Sequence, residues 1–70
     1  MKHIKSFTGR ANAHAAVAKS PARSFRYSVP LEAVTLHDGE RALRYVPTFK
    51  AATDEQRAII TKAGFRLDDA

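Results

Sequence analysis

The sequence contains no cysteine, and it has only three glycines and three prolines. Without cysteine, disulfide bonds and thiolate metal sites are excluded, so the fold is indifferent to the redox state of its compartment. No apolar run approaches the roughly 20 residues that a membrane-spanning helix needs. No continuous apolar stretch follows Lys2 and Lys5 either, so a secretory signal is not expected. We therefore expect a cytoplasmic protein.

The chain is also short, which limits how much apolar surface it can bury. Its 70 residues make one domain, 1–70, and a chain of this length buries only about 60% of its unfolded surface. Its composition, 44% hydrophobic and 27% charged, is that of a globular protein rather than a disordered one. Oligomerisation or docking onto a partner would add stability, so a homodimer stays open as an alternative.

Acidic residues are missing from the first part of the chain. Glu32 is the first of the seven, so residues 1–30 carry six basic and no acidic residues, a charge of +6. After Pro30 there are six basic and seven acidic residues, a charge of −1, which gives the net +5 of the chain. This asymmetry indicates a negatively charged partner, either nucleic acid or an acidic protein surface. A solvated basic face that keeps a small protein soluble explains the same charges.

The N-terminal part predicts one helix. Residues 1–6 are either an edge strand or an arm that orders only on binding. Residues 10–19 are rich in alanine, the best helix former, and contain no glycine or proline. Ser6 or Thr8 can cap this helix, and Ser20-Pro21 ends it. By the 3.6-residue period its buried face collects small residues, namely Gly9, Ala13, Ala16 and Val17.

Residues 23–49 predict a meander of three antiparallel strands, 24–29, 34–37 and 40–46. Asp38-Gly39 favours a two-residue type I′ turn between the last two strands. Such a turn sets Val34 opposite Leu43. One face is then expected to be the core, and it consists of Val34, Leu36, Leu43 and Tyr45. The other face is expected to be open, and it consists of Thr35, His37, Glu40, Ala42 and Arg44.

The second helix has the clearest local signals in the chain. Thr53 is the expected N-cap, and Gln56 three residues later completes a capping box. Gly64 suits the left-handed position at the C-terminal end, and Phe65 can then cover Ile60. Residues 68–70 are expected to fray.

These elements follow the order (β)-α-β-β-β-α. Each helix has one apolar stripe and the sheet has one apolar face. The predicted fold is therefore α+β, with a three- to four-stranded antiparallel sheet, two helices packed on one face, and the other face open.

Signals for metal binding and for catalysis are sparse. His3, His14 and His37 lack the close spacing of ligands, so we expect neither a metal nor a cofactor. The one constellation with catalytic potential joins His37 to Arg44, Arg26 and Thr35 on the open face. A histidine near arginines can cleave RNA by moving the 2′-hydroxyl proton while the cations hold the phosphate. A contact between His37 and Glu40 that steadies the hairpin explains the same histidine.

The α-β-β-β-α order and the length resemble two families, the double-stranded-RNA-binding domains and the small HicA-type RNase toxins. The residues 60–65, Ile-Thr-Lys-Ala-Gly-Phe, are similar to the end of such toxins. The double-stranded-RNA-binding domains carry a lysine run at the start of the second helix, where this chain has Thr53-Asp54-Glu55-Gln56. The resemblance implies RNA binding or, as an alternative, a HicA-like RNase toxin that uses His37.

Binding without catalysis is the function that the sequence favours. The partner is expected to be a nucleic acid or a nucleoprotein complex, contacted through charge and largely independently of sequence. Phage or mobile-element inhibitors of host defence complexes, of the anti-CRISPR or anti-restriction type, have this size and organisation. The expected contact residues are Lys2, Lys5, Arg10, Lys19, Arg23, Arg26 and Arg44.

Overall fold

A computed structural model describes residues 4–68. Within that range the chain forms two helices and five strands: α1 Arg10–Ala18, β1 Tyr27–Ser28, β2 Leu31–Thr35, β3 Arg41–Tyr45, β4 Thr48–Phe49, α2 Asp54–Ala63 and β5 Arg66–Leu67. The predicted α+β class is confirmed. The predicted order is only partly confirmed, because four short strands separate the helices and a fifth follows α2.

The four strands between the helices form one long hairpin rather than a meander. β1 pairs with β4 and β2 pairs with β3, both antiparallel. The same register runs through both pairings, because partner numbers sum to 76 from Tyr27 and Phe49 to Thr35 and Arg41. Pro30 and Pro47 separate the two pairings, since proline has no N–H for a ladder. The predicted meander is wrong because Pro30 interrupts the strand without reversing the chain.

The turn at the tip of the hairpin has three residues instead of two. The Leu36 N–H donates to the Glu40 carbonyl at 2.7 Å, and the Gly39 N–H donates to the Leu36 carbonyl at 3.0 Å. Gly39 has φ 87°, and within the described range only glycines have a positive φ. This is a type I turn closed by a glycine bulge. Asp38 keeps a negative φ and its carboxylate accepts the Glu40 N–H at 3.0 Å, so the predicted type I′ turn is wrong.

The extra loop residue shifts the register by one position. Val34 therefore lies opposite Ala42 rather than Leu43. Because side chains alternate between faces, the predicted core face is divided. Leu43 is 67% exposed, whereas Val34 and Leu36 are half-buried on the opposite side.

The core lies at the base of the hairpin, around Phe49. Phe49 is fully buried and its cluster includes Val17 of α1, Ile60 of α2 and the buried Phe65. The Phe49 ring is 5.1 Å from the Tyr27 ring and 5.0 Å from the Phe65 ring, centroid to centroid. Both helices therefore pack into one cluster. Phe49 belongs to the middle strand of a three-stranded sheet, in which β4 is antiparallel to β1 and parallel to β5. The predicted single antiparallel sheet is therefore wrong, because this sheet is mixed and β2 and β3 form a separate pair.

The predicted signals of α2 are confirmed at both ends. The Thr53 hydroxyl accepts the Gln56 N–H at 3.1 Å. Gly64 is left-handed, with φ 88°, and the Phe65 N–H donates to the Ile60 carbonyl at 3.2 Å. One detail differs, because the Gln56 side chain accepts the N–H of Ala52 rather than that of Thr53.

The start of α1 differs from its prediction. Its N-cap is Gly9, and no side chain caps it, so the predicted cap at Ser6 or Thr8 is wrong. The preceding segment is held extended instead, since Phe7 and Tyr45 exchange N–H···O bonds of 2.9 and 2.7 Å. The predicted buried face is present, with Ala13 and Val17 buried.

Both ends of the described range are attached to the core. Lys5 donates its N–H to the Gly64 carbonyl at 2.9 Å, and Asp68 donates its N–H to the Phe49 carbonyl at 2.8 Å. Of the expected arm or edge strand, 1–6, the described residues 4–6 form no strand, and the next residue, Phe7, forms an isolated bridge with Tyr45. The sequence predicts fraying from residue 68 onward, but Asp68 is held by its hydrogen bond to Phe49. Residues 1–3 and 69–70 lie outside the described range.

Replacing Thr53 with alanine is expected to lower the free energy of unfolding by about 1 kcal/mol, because the Gln56 N–H loses its acceptor. Urea denaturation measures this loss. Thr61→Ala, at an exposed position inside the same helix, is the matched control and is expected to be neutral or slightly stabilising. Equal losses in both variants would contradict the capping role.

Candidate nucleic-acid interface

Six of the seven predicted contact residues lie in the described range, and Lys2 lies outside it. Five of the six are exposed and one, Arg44, is half-buried. Within residues 4–68, no carboxylate forms an ion pair with any of these six side chains. Arg66 and Glu32 form an ion pair, and neither belongs to the predicted set.

Arg26 is the predicted residue with the most informative surroundings. The hairpin register sets it opposite Lys50, whose N–H donates to the Arg26 carbonyl at 3.1 Å. Both side chains are exposed, and they share one side of the sheet because directly opposite residues do. Two like charges directly opposite each other are destabilising. The sequence analysis missed Lys50, because only the register of the long hairpin brings it to Arg26.

Two shallow concavities border this pair. One, of about 340 Å³, is also lined by Ser24, Phe25 and Gln56. The other, of about 360 Å³, is also lined by Ser28, Thr48 and Asp68. Both concavities are therefore lined by the same two cations and by hydroxyl-bearing residues, and the carboxylate of Asp68 also lines the second concavity.

Two more cations precede Arg26 along a tight turn. Lys19 follows α1 directly, and the Arg23 N–H donates to the Ser20 carbonyl at 3.3 Å. Arg23 is three residues before Arg26, so their Cα atoms are at most about 11 Å apart. We call Lys19, Arg23, Arg26 and Lys50 the basal cationic surface.

The other predicted cations lie elsewhere. Arg10 begins α1 and Lys19 follows it, so the two are at opposite ends of a helix about 14 Å long. The Lys5 ammonium lies 5.4 Å from the centre of the Phe65 ring. Arg44 donates from Nη2 to the Ser6 carbonyl at 2.7 Å, and its buried Nε has no partner. Of the predicted set, Lys19, Arg23 and Arg26 are therefore close along the chain, whereas Lys5, Arg10 and Arg44 lie at other places in the fold.

The predicted catalytic constellation is also divided. Arg44 lies opposite Glu32, six residues along the strand from Arg26, which is about 20 Å. Thr35 lies opposite Arg41, on the other face of the ribbon from Arg44. His37 and Arg44 do line a common concavity of about 260 Å³, together with Ile4, Lys5, Ser6 and Leu36.

Comparisons with known proteins give no family. No protein-family model matches the chain, and neither a curated protein nor a solved structure matches it.

Two features that residues 4–68 lack bear on the kind of site. No helix there is long and apolar enough to cross a membrane. No group of three or more histidine, aspartate or glutamate side chains in that range is arranged to hold a metal ion. His14, one of the three histidines, has its Nδ1 2.8 Å from the Tyr27 hydroxyl. That contact ties α1 to β1.

Arg66 is committed to a structural contact rather than to the basal surface. Its Nη1 and Nη2 donate to the two carboxylate oxygens of Glu32, and its Nε donates to the Thr48 hydroxyl at 3.0 Å. This contact joins β5 to β2. The hydrogen bonds from Arg66 lower the pKa of the Glu32 carboxyl below its usual value of 4.5, and those to Glu32 raise the pKa of the Arg66 guanidinium.

The Glu32 contact predicts a pH dependence of stability. Because the folded-state pKa is lowered, the stabilisation is fully present above about pH 5 and is lost as the pH falls through the folded pKa. Urea denaturation from pH 7 down to pH 3 measures this loss of stability.

Glu32→Gln is expected to lose stability at pH 7 and to flatten the plot of unfolding free energy against pH below pH 5. Glu40→Gln, at the exposed tip, is the control and is expected to keep the wild-type profile, so a Glu32→Gln profile that also matches wild type would contradict the prediction.

Proposed function

We propose that this protein binds nucleic acid through the phosphate backbone, with the basal cationic surface as its contact. The observation that carries the proposal is the pair Arg26 and Lys50. These side chains lie opposite each other, exposed, without an ion pair to any carboxylate of residues 4–68. A phosphate between them would relieve their mutual repulsion and gain two charge-assisted hydrogen bonds.

The surroundings of the pair favour phosphates over bases. The hydroxyls of Ser24 and Ser28 line the adjacent concavities and can donate to phosphate oxygens. The Thr48 hydroxyl is not available as a donor, because it donates to the Val46 carbonyl at 2.9 Å. The half-buried Tyr27 ring also lines the second concavity, and it is stacked on Phe49 at a centroid distance of 5.1 Å, so it is part of the core cluster. Binding is therefore largely independent of sequence, and its affinity falls steeply with salt because bound counterions are released.

Removing the opposed pair tests the proposal. The double variant Arg26→Ala/Lys50→Ala is expected to bind a generic duplex or single strand more weakly. Its plot of log affinity against log salt is expected to flatten by about two units, since each phosphate contact contributes about 0.9. Fluorescence anisotropy at 50 to 200 mM salt measures both quantities.

The matched control removes the same two charges elsewhere. Arg41→Ala/Lys62→Ala lowers the net charge equally, but Arg41 lies at the hairpin tip and Lys62 in the last turn of α2. It is expected to keep most of the affinity and a slope close to that of the wild type. Equal losses in both double variants would reduce the effect to net charge and remove the basal surface as the site.

The natural partner is a free nucleic acid or a nucleoprotein complex, in a cytoplasmic setting. An inhibitor of a host defence complex would use the same cations against an acidic protein surface or against the nucleic acid that such a complex carries. Wild-type protein that binds neither duplex nor single strand at 50 mM salt would overturn direct phosphate binding and leave the protein surface.

A second candidate function, RNA cleavage, is favoured by one observation. His37 and Arg44 line the same concavity, and Lys5 completes it with a third basic side chain. An imidazole there can take the 2′-hydroxyl proton while the cations hold the phosphate. No carboxylate is among the described residues that line it, so a second proton-transfer group is missing. We therefore rank this function below binding.

If His37 is catalytic, incubation of a labelled RNA with wild-type protein is expected to give cleavage that His37→Ala reduces by at least about 100-fold. His14→Ala is the control and is expected to cleave like wild type, because His14 contacts Tyr27. Intact RNA with the wild-type protein, or equal cleavage by wild type and His37→Ala, would remove this candidate.

A further inference from the structure

β2 presents an open edge of main-chain hydrogen-bonding groups. The Val46 N–H donates to the Pro30 carbonyl and the Leu36 N–H donates to the Glu40 carbonyl, so even-numbered residues of this strand bond toward β3. In an antiparallel pair the alternate residues point the other way. The N–H and C=O groups of Leu31, Ala33 and Thr35 therefore point away from β3, and no residue within 4–68 bonds to them.

The edge lacks the features that usually prevent strand pairing. β2 reads Leu-Glu-Ala-Val-Thr, without lysine, proline or a bulge. The one charged residue of this strand is Glu32. Its side chain lies on the opposite face of the ribbon from those of Leu31 and Ala33, and it is bound by Arg66. Leu31, at the start of this edge strand, is 51% exposed.

The ribbon formed by β2 and β3 has no buried side chain of its own to stabilise it. None of the ten residues in these two strands is buried. A two-stranded ribbon is marginally stable in water, and a third strand or a covering helix is usually needed. Phe7 supplies one bridge on the β3 side, at Tyr45. The β2 side has none among the described residues.

We propose that β2 pairs antiparallel with β2 of a second copy of this chain, with Ala33 opposite Ala33 on the two-fold axis. Leu31 then lies opposite the second copy's Thr35. The three outward residues of each strand exchange about six main-chain hydrogen bonds, and the two ribbons become one four-stranded sheet, β3-β2-β2-β3.

The strand is complementary to itself in this register. Ala33 is small, so the two strands approach closely at the axis. Glu32 lies opposite the second copy's Val34, so no like charges are directly opposed. A two-fold pairing uses both edges at once and closes, which gives a dimer rather than a fibre. This proposal does not depend on nucleic-acid binding, because it uses no residue of the basal cationic surface.

Ala33→Pro separates the edge from the hairpin. The Ala33 N–H points outward, so proline removes a donor from the proposed interface and none from the pairing with β3. The two axial bonds are lost, and the dimer dissociation constant is expected to rise by about 30-fold or more. Sedimentation equilibrium of the full chain from 1 to 500 μM measures the constant, and circular dichroism checks that the variant is folded.

A second edge variant and a face variant complete the test. Ala33→Lys keeps the N–H but sets two ammonium groups together at the axis, so it is expected to be monomeric at low salt. Leu43→Lys adds the same charge to the exposed face, away from the edge, and is expected to dimerise like wild type.

Amide exchange supplies a readout that does not need a variant. The amides of Leu31, Ala33 and Thr35 are expected to become protected as wild-type protein concentration rises, while that of Val34, bonded to β3, stays protected throughout. Monomeric wild-type protein at 500 μM would overturn the proposal. A dimer that Leu43→Lys dissociates and Ala33→Pro preserves would overturn it as well, since the faces rather than the edges would then be in contact.

Discussion

The register of the long hairpin is the constraint on which the rest of the structure depends. One antiparallel alignment continues through both pairings, across the gap that Pro30 and Pro47 leave in the ladder. It sets Tyr27 beside Phe49 in the core and Arg26 beside Lys50 on the surface. A shift of one residue would exchange the two faces and expose Phe49. The glycine bulge at Gly39 is therefore a local feature with consequences along the whole hairpin.

The hairpin has two regions with different energetics. At its base, Phe49 packs with Val17, Ile60 and Phe65, and aromatic contacts connect it to Tyr27. Burial of such side chains stabilises by about 2 kcal/mol each, so the base accounts for most of the apolar stabilisation. The β2–β3 region extends beyond that cluster, and it is held by its own ladder, the bridge to Phe7 and the contact of Glu32 with Arg66. We expect it to open more readily than the base.

The charges follow the same division. At the base the strands are held by the core beneath them, so Arg26 and Lys50 can stay opposed although they repel each other. Stability of the core thus offsets the mutual repulsion of this pair. In the β2–β3 region Leu31 and Leu43 are exposed and the outer main-chain groups of β2 are open, which suits another strand rather than a phosphate. The two proposals consequently concern opposite ends of one hairpin and can be tested separately.

The sequence by itself determined the α+β class, the charge asymmetry and the ends of α2. Thr53, Gly64 and Phe65 act within a few residues of where they stand, so their roles can be predicted from local rules. Tertiary structure decided the rest. Asp38-Gly39 is compatible with turns of two or three residues, and only the pairing of the whole hairpin selects between them. Likewise, neither the parallel strand β5 nor the opposition of Arg26 and Lys50 leaves a local pattern, because each joins residues far apart in the chain whose contact depends on where the core forms.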